Sequence, residues 1–408
     1  MSNEICLGLV GCGLMGRRHV FGIKELIQRG FHILNLSAIC DIDEERARAL
    51  ADFSKKELGM PPKVYVDFSE MVEKERDLDA VDIVTNPPSH HKLAEEAFQA
   101  GKHVIVEKPM GITVKACHRM IRASEKCGRI LAVAENYRRD PLNRLVKSAI
   151  EKKIIGDLYL VFQHFVGGGG NIAISKWRHM KEQGGIIIDM GVHYTDILRY
   201  FIGEVEEVYG KMAMFEKSRK REIFDGKTKI VERVEPNAED TVLAIMKFEN
   251  NVLGQWVMSY SGHGKGVWQR LIYGSKGCLE APPDRSGRPV KVTLNHGKRI
   301  SSEALLKDLK VFSSEDVTPK FFPEGLAKYA LPFQEIDRRL IALELYDFVE
   351  ALIKERKPEV DGIEGMKDVA LAYATCESAC LSRPVKVKDV EDGSICVYQK
   401  EINSVLNI

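Results

Sequence analysis

The sequence lacks an excess of charge of either sign: 60 Lys and Arg stand against 59 Asp and Glu, a formal net charge of +1. A chain so balanced has no overall basic field to hold nucleic acid or an anionic membrane surface, so any ligand must be recognised locally. Long hydrophobic runs are also missing. No apolar stretch approaches the roughly 18 residues of a membrane span, and the opening MSNEICLGLVGCG has neither a basic leader nor a long apolar core. A soluble, cytoplasmic protein is expected. The nine cysteines are odd in number and scattered, and Cys376 and Cys380 sit close together without histidine neighbours. Neither a zinc site nor a disulfide framework follows, and reduced thiols are the plain reading. Internal repeats and low-complexity tracts are absent too.

What is present suits a globular protein of two domains: 408 residues, 44% apolar and 29% charged. The first third alternates short β-branched runs, such as EICLGLVG (4–11), ILNLSAICD (33–41) and HVIVE (103–107), with longer helical periods. Strands alternating with helices imply βαβ units, hence a doubly wound parallel sheet. After residue 136 the texture changes to longer alternating strands, 157–167, 204–215, 240–260 and 269–280, which predict a large, open, mostly antiparallel sheet in an α/β domain. The reading is therefore α/β throughout, with domains at 1–136 and 137–408. Segment 216–239 is highly charged and reads as an exposed excursion, 281–289 as a turn-rich loop. Stretches 337–357 and 362–382 are amphipathic helices that need a surface to cover.

Gly11-Cys12-Gly13-Leu14-Met15-Gly16 lies between the first strand and the first helix. Glycines at a tight turn need no ligand, but in this position backbone N–H groups and the helix dipole can face a pyrophosphate. The second strand ends at Asp41, where a carboxylate accepts from the ribose hydroxyls and repels a 2′-phosphate, which favours NAD over NADP. The competing role for Asp41 is a helix N-cap, which Asp43 fills equally well. Glu107-Lys108-Pro109 ends another strand of this sheet, at the edge where open parallel sheets bind ligands. There an ammonium can hydrogen-bond a substrate hydroxyl and stabilise the developing alkoxide, with Glu107 to neutralise and orient Lys108. A surface ion pair is the bland reading of Glu107 and Lys108. Thr85, Asn86, Pro87 and His90 end the preceding strand and are expected on another wall of the crevice.

Asp189 and His193 are four apart in GGIIIDMGVHYTDILRYF (184–201), so on a helix they share a face. A neutral imidazole can accept a hydroxyl proton near neutral pH, and a carboxylate beside it stabilises the resulting imidazolium. The same spacing also occurs in surface pairs without catalysis.

Together, the glycine loop, Asp41, AGKHVIVEKP (100–109), WRHMKEQGGIIIDMGVHYTDILRYF (177–201) and KPEVDGIEGMKDVALAYATCESA (357–379) resemble the Gfo/Idh/MocA family of NAD(P)-dependent oxidoreductases. The resemblance covers nearly the whole chain. It implies a Rossmann domain followed by a domain whose open sheet mediates dimer or tetramer formation. It also implies hydride transfer between a secondary hydroxyl of a sugar, glycoside or inositol-like polyol and nicotinamide, without metal. On this chain Lys108 would activate the substrate, His193 serve as acid and base, and Asp189 act as its polar partner. Tyr137, Arg138, Trp177 and Arg178 would line the sugar pocket. Departures are Gln183-Gly184-Gly185, where many relatives carry three glycines, and the elaborations at 167–170 and after Phe215. Two other functions are open: a glycoside-cleaving enzyme with tightly held NAD and no net redox, and a dinucleotide-binding regulator without catalysis.

Overall fold

A computed structural model describes residues 4–225 and 228–408. By contacts the chain divides into two units, one of residues 1–111, 116–141 and 312–366, the other of 112–115, 142–311 and 367–408.

The first unit holds six strands, β1 (Ile5–Val10), β2 (Leu34–Cys40), β3 (Lys63–Tyr65), β4 (Ala80–Ile83), β5 (His103–Glu107) and β6 (Leu131–Ala134). They run parallel in the order β3-β2-β1-β4-β5-β6. The expected parallel sheet is thus observed, and its order reverses between β1 and β4. Crossover helices α1 (Leu14–Gln28), α2 (Glu44–Leu58), α3 (Phe68–Lys74), α4 (Pro87–Gln99) and α5 (Val114–Cys127) connect the strands. Local chemistry sets their ends: Asp43 caps α2 by accepting from the Arg46 N–H, and Gly59 closes it at φ +91°. The central strands are buried on both faces, which is why Val81, Ile83, Val104 and Val106 are all fully buried, with Asp82 the one charged residue between them in β4.

The segment Phe312–Met366 belongs to this unit although it follows the second sheet in sequence. Its long helix, Phe333–Ile353, lies so close to α1 that a Cβ on Gly22 would meet Ile341 Cγ2 at 2.5 Å. Ile341 and Leu345 are fully buried there.

The second unit is built on a nine-stranded sheet that follows helix α6 (Pro141–Glu151). Its strands are β7 (Leu158–Gly168), β8 (Val205–Ala213), β11 (Thr241–Phe248), β12 (Leu253–Gly262), β13 (Val267–Gly274), β14 (Gly277–Ala281), β15 (Lys291–Leu294), β16 (Arg299–Ile300) and β17 (Val385–Lys386). All neighbours pair antiparallel except β7 and β12. One face is covered by helix α7 (Gly185–Ile202), where Gly191 lies against the Trp256 ring: a Cβ would meet it at 3.1 Å. On the other face Leu243, Ile245, Leu253 and Tyr209 are exposed, and Ile245 stands opposite Tyr209 in the register.

The charged segment after Phe215 contains an antiparallel hairpin, β9 (Arg219–Asp225) and β10 (Thr228–Val234). Its base is clamped by Arg219, whose fully buried guanidinium meets Asp240 at 3.0 Å and the Gly169 and Tyr260 carbonyls at 2.9 Å. The two elaborations noted in the sequence, 167–170 and the charged segment, therefore meet on one arginine. Among the described residues no helix is long and apolar enough to cross a membrane, and no cluster of three or more His, Cys, Asp or Glu could hold a metal.

Candidate active site

In the first unit a cavity of about 340 Å³ opens at the carboxyl ends of β1, β2 and β4. Gly11, Gly13, Asp41, Thr85 and Asn86 line it together, so these sequence-nominated residues do converge. The glycines have separate reasons. Gly11 has φ +106°, and a Cβ there would sit 2.7 Å from the Val84 carbonyl oxygen. A Cβ on Gly16 would lie 2.3 Å from the Gly11 oxygen, so this glycine lets α1 close on the turn. A Cβ on Gly13 would meet nothing within 4 Å. No protein atom requires that glycine, which leaves the space for a ligand's diphosphate at the N-terminus of α1. Leu14 and Met15 form the first turn of that helix, Leu14 being exposed.

Asp41 is buried, and both carboxylate oxygens are held: Oδ2 accepts from the Cys12 N–H at 2.8 Å and Oδ1 from the Asp43 N–H at 2.9 Å. The carboxylate is thereby fixed between the glycine turn and the end of β2, with further lone pairs for hydroxyl donors. Asp43, not Asp41, caps α2. Arg46 also lines the cavity and donates to Asp43 at 2.7 Å. In sequence it reads only as a surface residue of a capped helix. Burial, then the Asp41 charge, pushes the Cys12 and Cys40 thiols up to about 12, so neither is a thiolate at neutral pH.

Pro87 opens α4, and His90 is buried one turn further on. Its Nε2 lies 3.0 Å from the Thr85 carbonyl oxygen and its Nδ1 3.1 Å from that of Pro109. Burial holds its pKa below the ordinary histidine value. Lys108 follows the last residue of β5 and is half-buried; the Lys108–Pro109 peptide is cis. Tyr137 and Arg138 also fall in this unit, both buried. The Tyr137 N–H donates to Glu135 at 3.0 Å, and Arg138 to Glu364 at 3.1 Å.

Around Lys108 lies a set of buried groups that sequence reasoning missed. His19, fully buried, faces Asp82 at 2.7 Å and Glu107 at 3.3 Å. Burial disfavours the charged ring, but the two carboxylates outweigh it and hold His19 well above its ordinary value. Burial pushes Glu135 up to about 7 and Glu344 well above the carboxylate range. Neither Glu344 oxygen has a hydrogen-bond partner among the described residues, as suits a neutral acid. The signal for these residues was charge in an otherwise apolar helical or strand period, which reads equally as a solvated face.

In the second unit Asp189 and His193 both lie on α7, four residues apart as the spacing requires, and both are buried. Gly184, at φ +111°, and Gly185, at φ +65°, turn the chain into that helix. Asp189 Oδ2 accepts from Arg178 Nε at 2.7 Å, and the Arg178 guanidinium stacks 4.1 Å from the Trp177 ring centroid. Trp177, Arg178 and Asp189 thus form one group on this unit, and Tyr137 and Arg138 lie on the other.

Residues 5–135 match the family described as an oxidoreductase family with an NAD-binding Rossmann fold, and residues 143–280 match the GFO/IDH/MocA C-terminal domain. The myo-inositol 2-dehydrogenase of Thermotoga maritima is 28% identical, over 94% of this chain and 99% of its own. The D-apiose dehydrogenase of Paraburkholderia graminis is 26% identical, over 94% and 90%. Among solved structures, a levoglucosan dehydrogenase in complex with NADH superposes with a TM-score of 0.75 at 22% identity, covering 94% of this chain and 99% of that one. An Agrobacterium radiobacter oxidoreductase with NAD+, L-tartaric acid and magnesium gives 0.71 at 21%, over 94% and 99%. With both of its domain types matched in order and an open glycine cradle in the first, the chain belongs to the GFO/IDH/MocA family of oxidoreductases.

Proposed function

We propose that this chain is an NAD-dependent dehydrogenase of a sugar, glycoside or cyclic polyol, oxidising a secondary hydroxyl to a ketone or running the reverse reduction. The observation that carries the reading is the placement of Lys108. It leaves β5 at the carboxyl edge of the same sheet whose glycine turn and Asp41 form the dinucleotide cavity. Family relatives named for inositol and apiose, similar over nearly the full chain, support a polyhydroxylated substrate.

Gly11 and Gly13 would receive the diphosphate, with Gly16 letting α1 close on the turn, and Thr85 and Asn86 line the same cavity. Asp41 favours NAD, because a 2′-phosphate would set two negative charges against a buried carboxylate. When bound, the cofactor supplies the hydride acceptor. The Lys108 ammonium donates a hydrogen bond to the reacting oxygen and stabilises the alkoxide as the C–H electron pair leaves. His193 accepts the hydroxyl proton. Arg178 and Trp177 offer a donor and an aromatic face to other hydroxyls, with Asp189 held ready by Arg178. Tyr137 and Arg138 are assigned to substrate on the same reading. The exposed apolar face of the nine-stranded sheet supports a homodimer or homotetramer.

The test replaces Lys108 with Ala. NADH affinity, read by fluorescence titration, should stay within about threefold, while turnover across a panel of inositols, hexoses and glycosides falls by roughly a thousandfold. Undiminished turnover on the best substrate would remove Lys108 from the chemistry. Stoichiometric NADH release by the wild type separates net oxidation from transient redox during glycoside cleavage.

A further inference from the structure

His19 does not line the dinucleotide cavity and has no part in the proton transfer proposed above, yet it is fully buried and joins three elements of the first unit. It lies on α1, the helix that begins at the glycine turn, and its ring reaches Asp82 on β4 at 2.7 Å and Glu107 on β5 at 3.3 Å. Glu107 immediately precedes Lys108. On the other side of Lys108, the Pro109 and Met110 carbonyls lie 3.1 and 3.3 Å from the His90 ring. Two buried histidines therefore bracket the backbone that carries the lysine, one gripping the residue before it and one the residues after it.

We propose that His19 is a positioning residue for Lys108, fixing Glu107 and with it the end of β5 relative to the helix that receives the cofactor's diphosphate. The assignment rests on the role given to Lys108 above. Two features oppose a purely packing role for the imidazole. A charged ring between two carboxylates is costly to bury and inferior to an aliphatic side chain for packing alone. The ring also uses both nitrogens on different strands, so it sets a distance between them that a single bond would not. Glu344, on the helix Phe333–Ile353, faces the same cluster together with Arg139 and Glu135. Because Glu344 is held neutral, the negative charge His19 meets is that of Asp82 and Glu107.

Two isosteres separate the contacts. Asn at position 19 keeps a donor where Nδ1 faces Asp82 and removes the one facing Glu107; Gln does the reverse. In the full chain, His19→Asn should lower kcat about tenfold or more, with substrate KM and NADH affinity within roughly threefold. His19→Gln should restore most of kcat. Acylation of Lys108 by acetic anhydride, followed by mass spectrometry, should change in rate at least about threefold in His19→Asn and less in His19→Gln. Adding His19→Asn to Glu107→Gln should cost little beyond Glu107→Gln alone, because both break one contact. Equal losses in the two isosteres, or additive losses in the double variant, overturn the proposal. If His19→Asn does not fold, Glu107→Gln alone must alter both kcat and Lys108 acylation, and unchanged values overturn it. If the wild type turns over no sugar or polyol, the dehydrogenase reading fails, and the acylation rates alone decide the role of His19.

Discussion

Arg178 Nε donates to Asp189 Oδ2 at 2.7 Å, and the pair is almost wholly buried, with side-chain exposures of 10% and 1%. A buried pair is costly to break from one side, because the surviving charge is left without its counterion. Asp189→Ala should therefore destabilise the protein by roughly 3 kcal/mol, read as a shift in urea midpoint at constant m-value. Asp189→Asn keeps the shape and an acceptor for Arg178, and should lose less stability. On the role of base proposed for His193, both variants should lose turnover, because neither supplies a carboxylate on the same helix face to stabilise the imidazolium. An unchanged urea midpoint in Asp189→Ala would show that the pair is not buried as described.

The two glycines of the turn predict opposite behaviour. Gly11→Ala must place a Cβ 2.7 Å from the Val84 oxygen at a backbone φ of +106°, so the turn itself is damaged. A loss of about 2 kcal/mol or more in stability is expected. Gly13→Ala meets no protein atom, so its thermal midpoint should stay near the wild type, while NADH affinity falls tenfold or more as the methyl group enters the diphosphate cradle. Thermal melts and fluorescence titration of both variants check this. Wild-type NADH affinity in Gly13→Ala would place the diphosphate elsewhere.

Much of this geometry was legible in the residues. The β-branched runs that end at Val10, Cys40 and Glu107 have the length and apolar continuity of buried parallel strands, and an Asp-x-x-x-His spacing lands on one helix face as the 3.6 period requires. The residues that were not legible depend on partners far away in sequence. The helix Phe333–Ile353 shows an apolar stripe, but a stripe does not say which surface it covers; that it packs on α1 follows from Gly22, more than 300 residues earlier. The hairpin of β9 and β10 carries many charged residues, and its fixed base comes from Arg219 reaching the Gly169 carbonyl and Asp240. Nothing in the sequence marks Glu344 or His19 as buried, because a charged or polar residue in a helical period is ordinarily at the surface. Burial of a charge is decided by the third dimension alone.

The exposed face of the nine-stranded sheet gives a prediction on assembly. Ile245 is 58% exposed and stands between Tyr209 on β8 and Gln255 on β12. If copies of the chain meet through this face, Ile245→Lys brings a charge into an apolar contact at a cost of several kcal/mol per interface. Light scattering coupled to size exclusion should then show the variant at a smaller oligomer than the wild type, with an unchanged far-UV spectrum. The same mass for both would assign assembly to another surface.

Glu135 makes the stability depend on pH with a definite sign. Burial raises its pKa from 4.5 to about 7, with the neighbouring Glu107 also raising it against Lys108 and Arg138. Between those values the folded state holds a proton that the unfolded chain releases, so stability falls as pH rises through this window and stays lowered above about 7. The full loss is about 3 kcal/mol at 1.4 kcal/mol per pH unit. Glu135→Gln keeps an oxygen for the Tyr137 N–H and has no proton to lose. Its stability relative to the wild type should therefore improve from pH 5 to about pH 7 and level off by pH 8, by up to about 3 kcal/mol. Urea denaturation of the pair at four pH values reads the slope directly. A difference that stays flat across the window would mean that Glu135 is ionised and solvated in the folded protein.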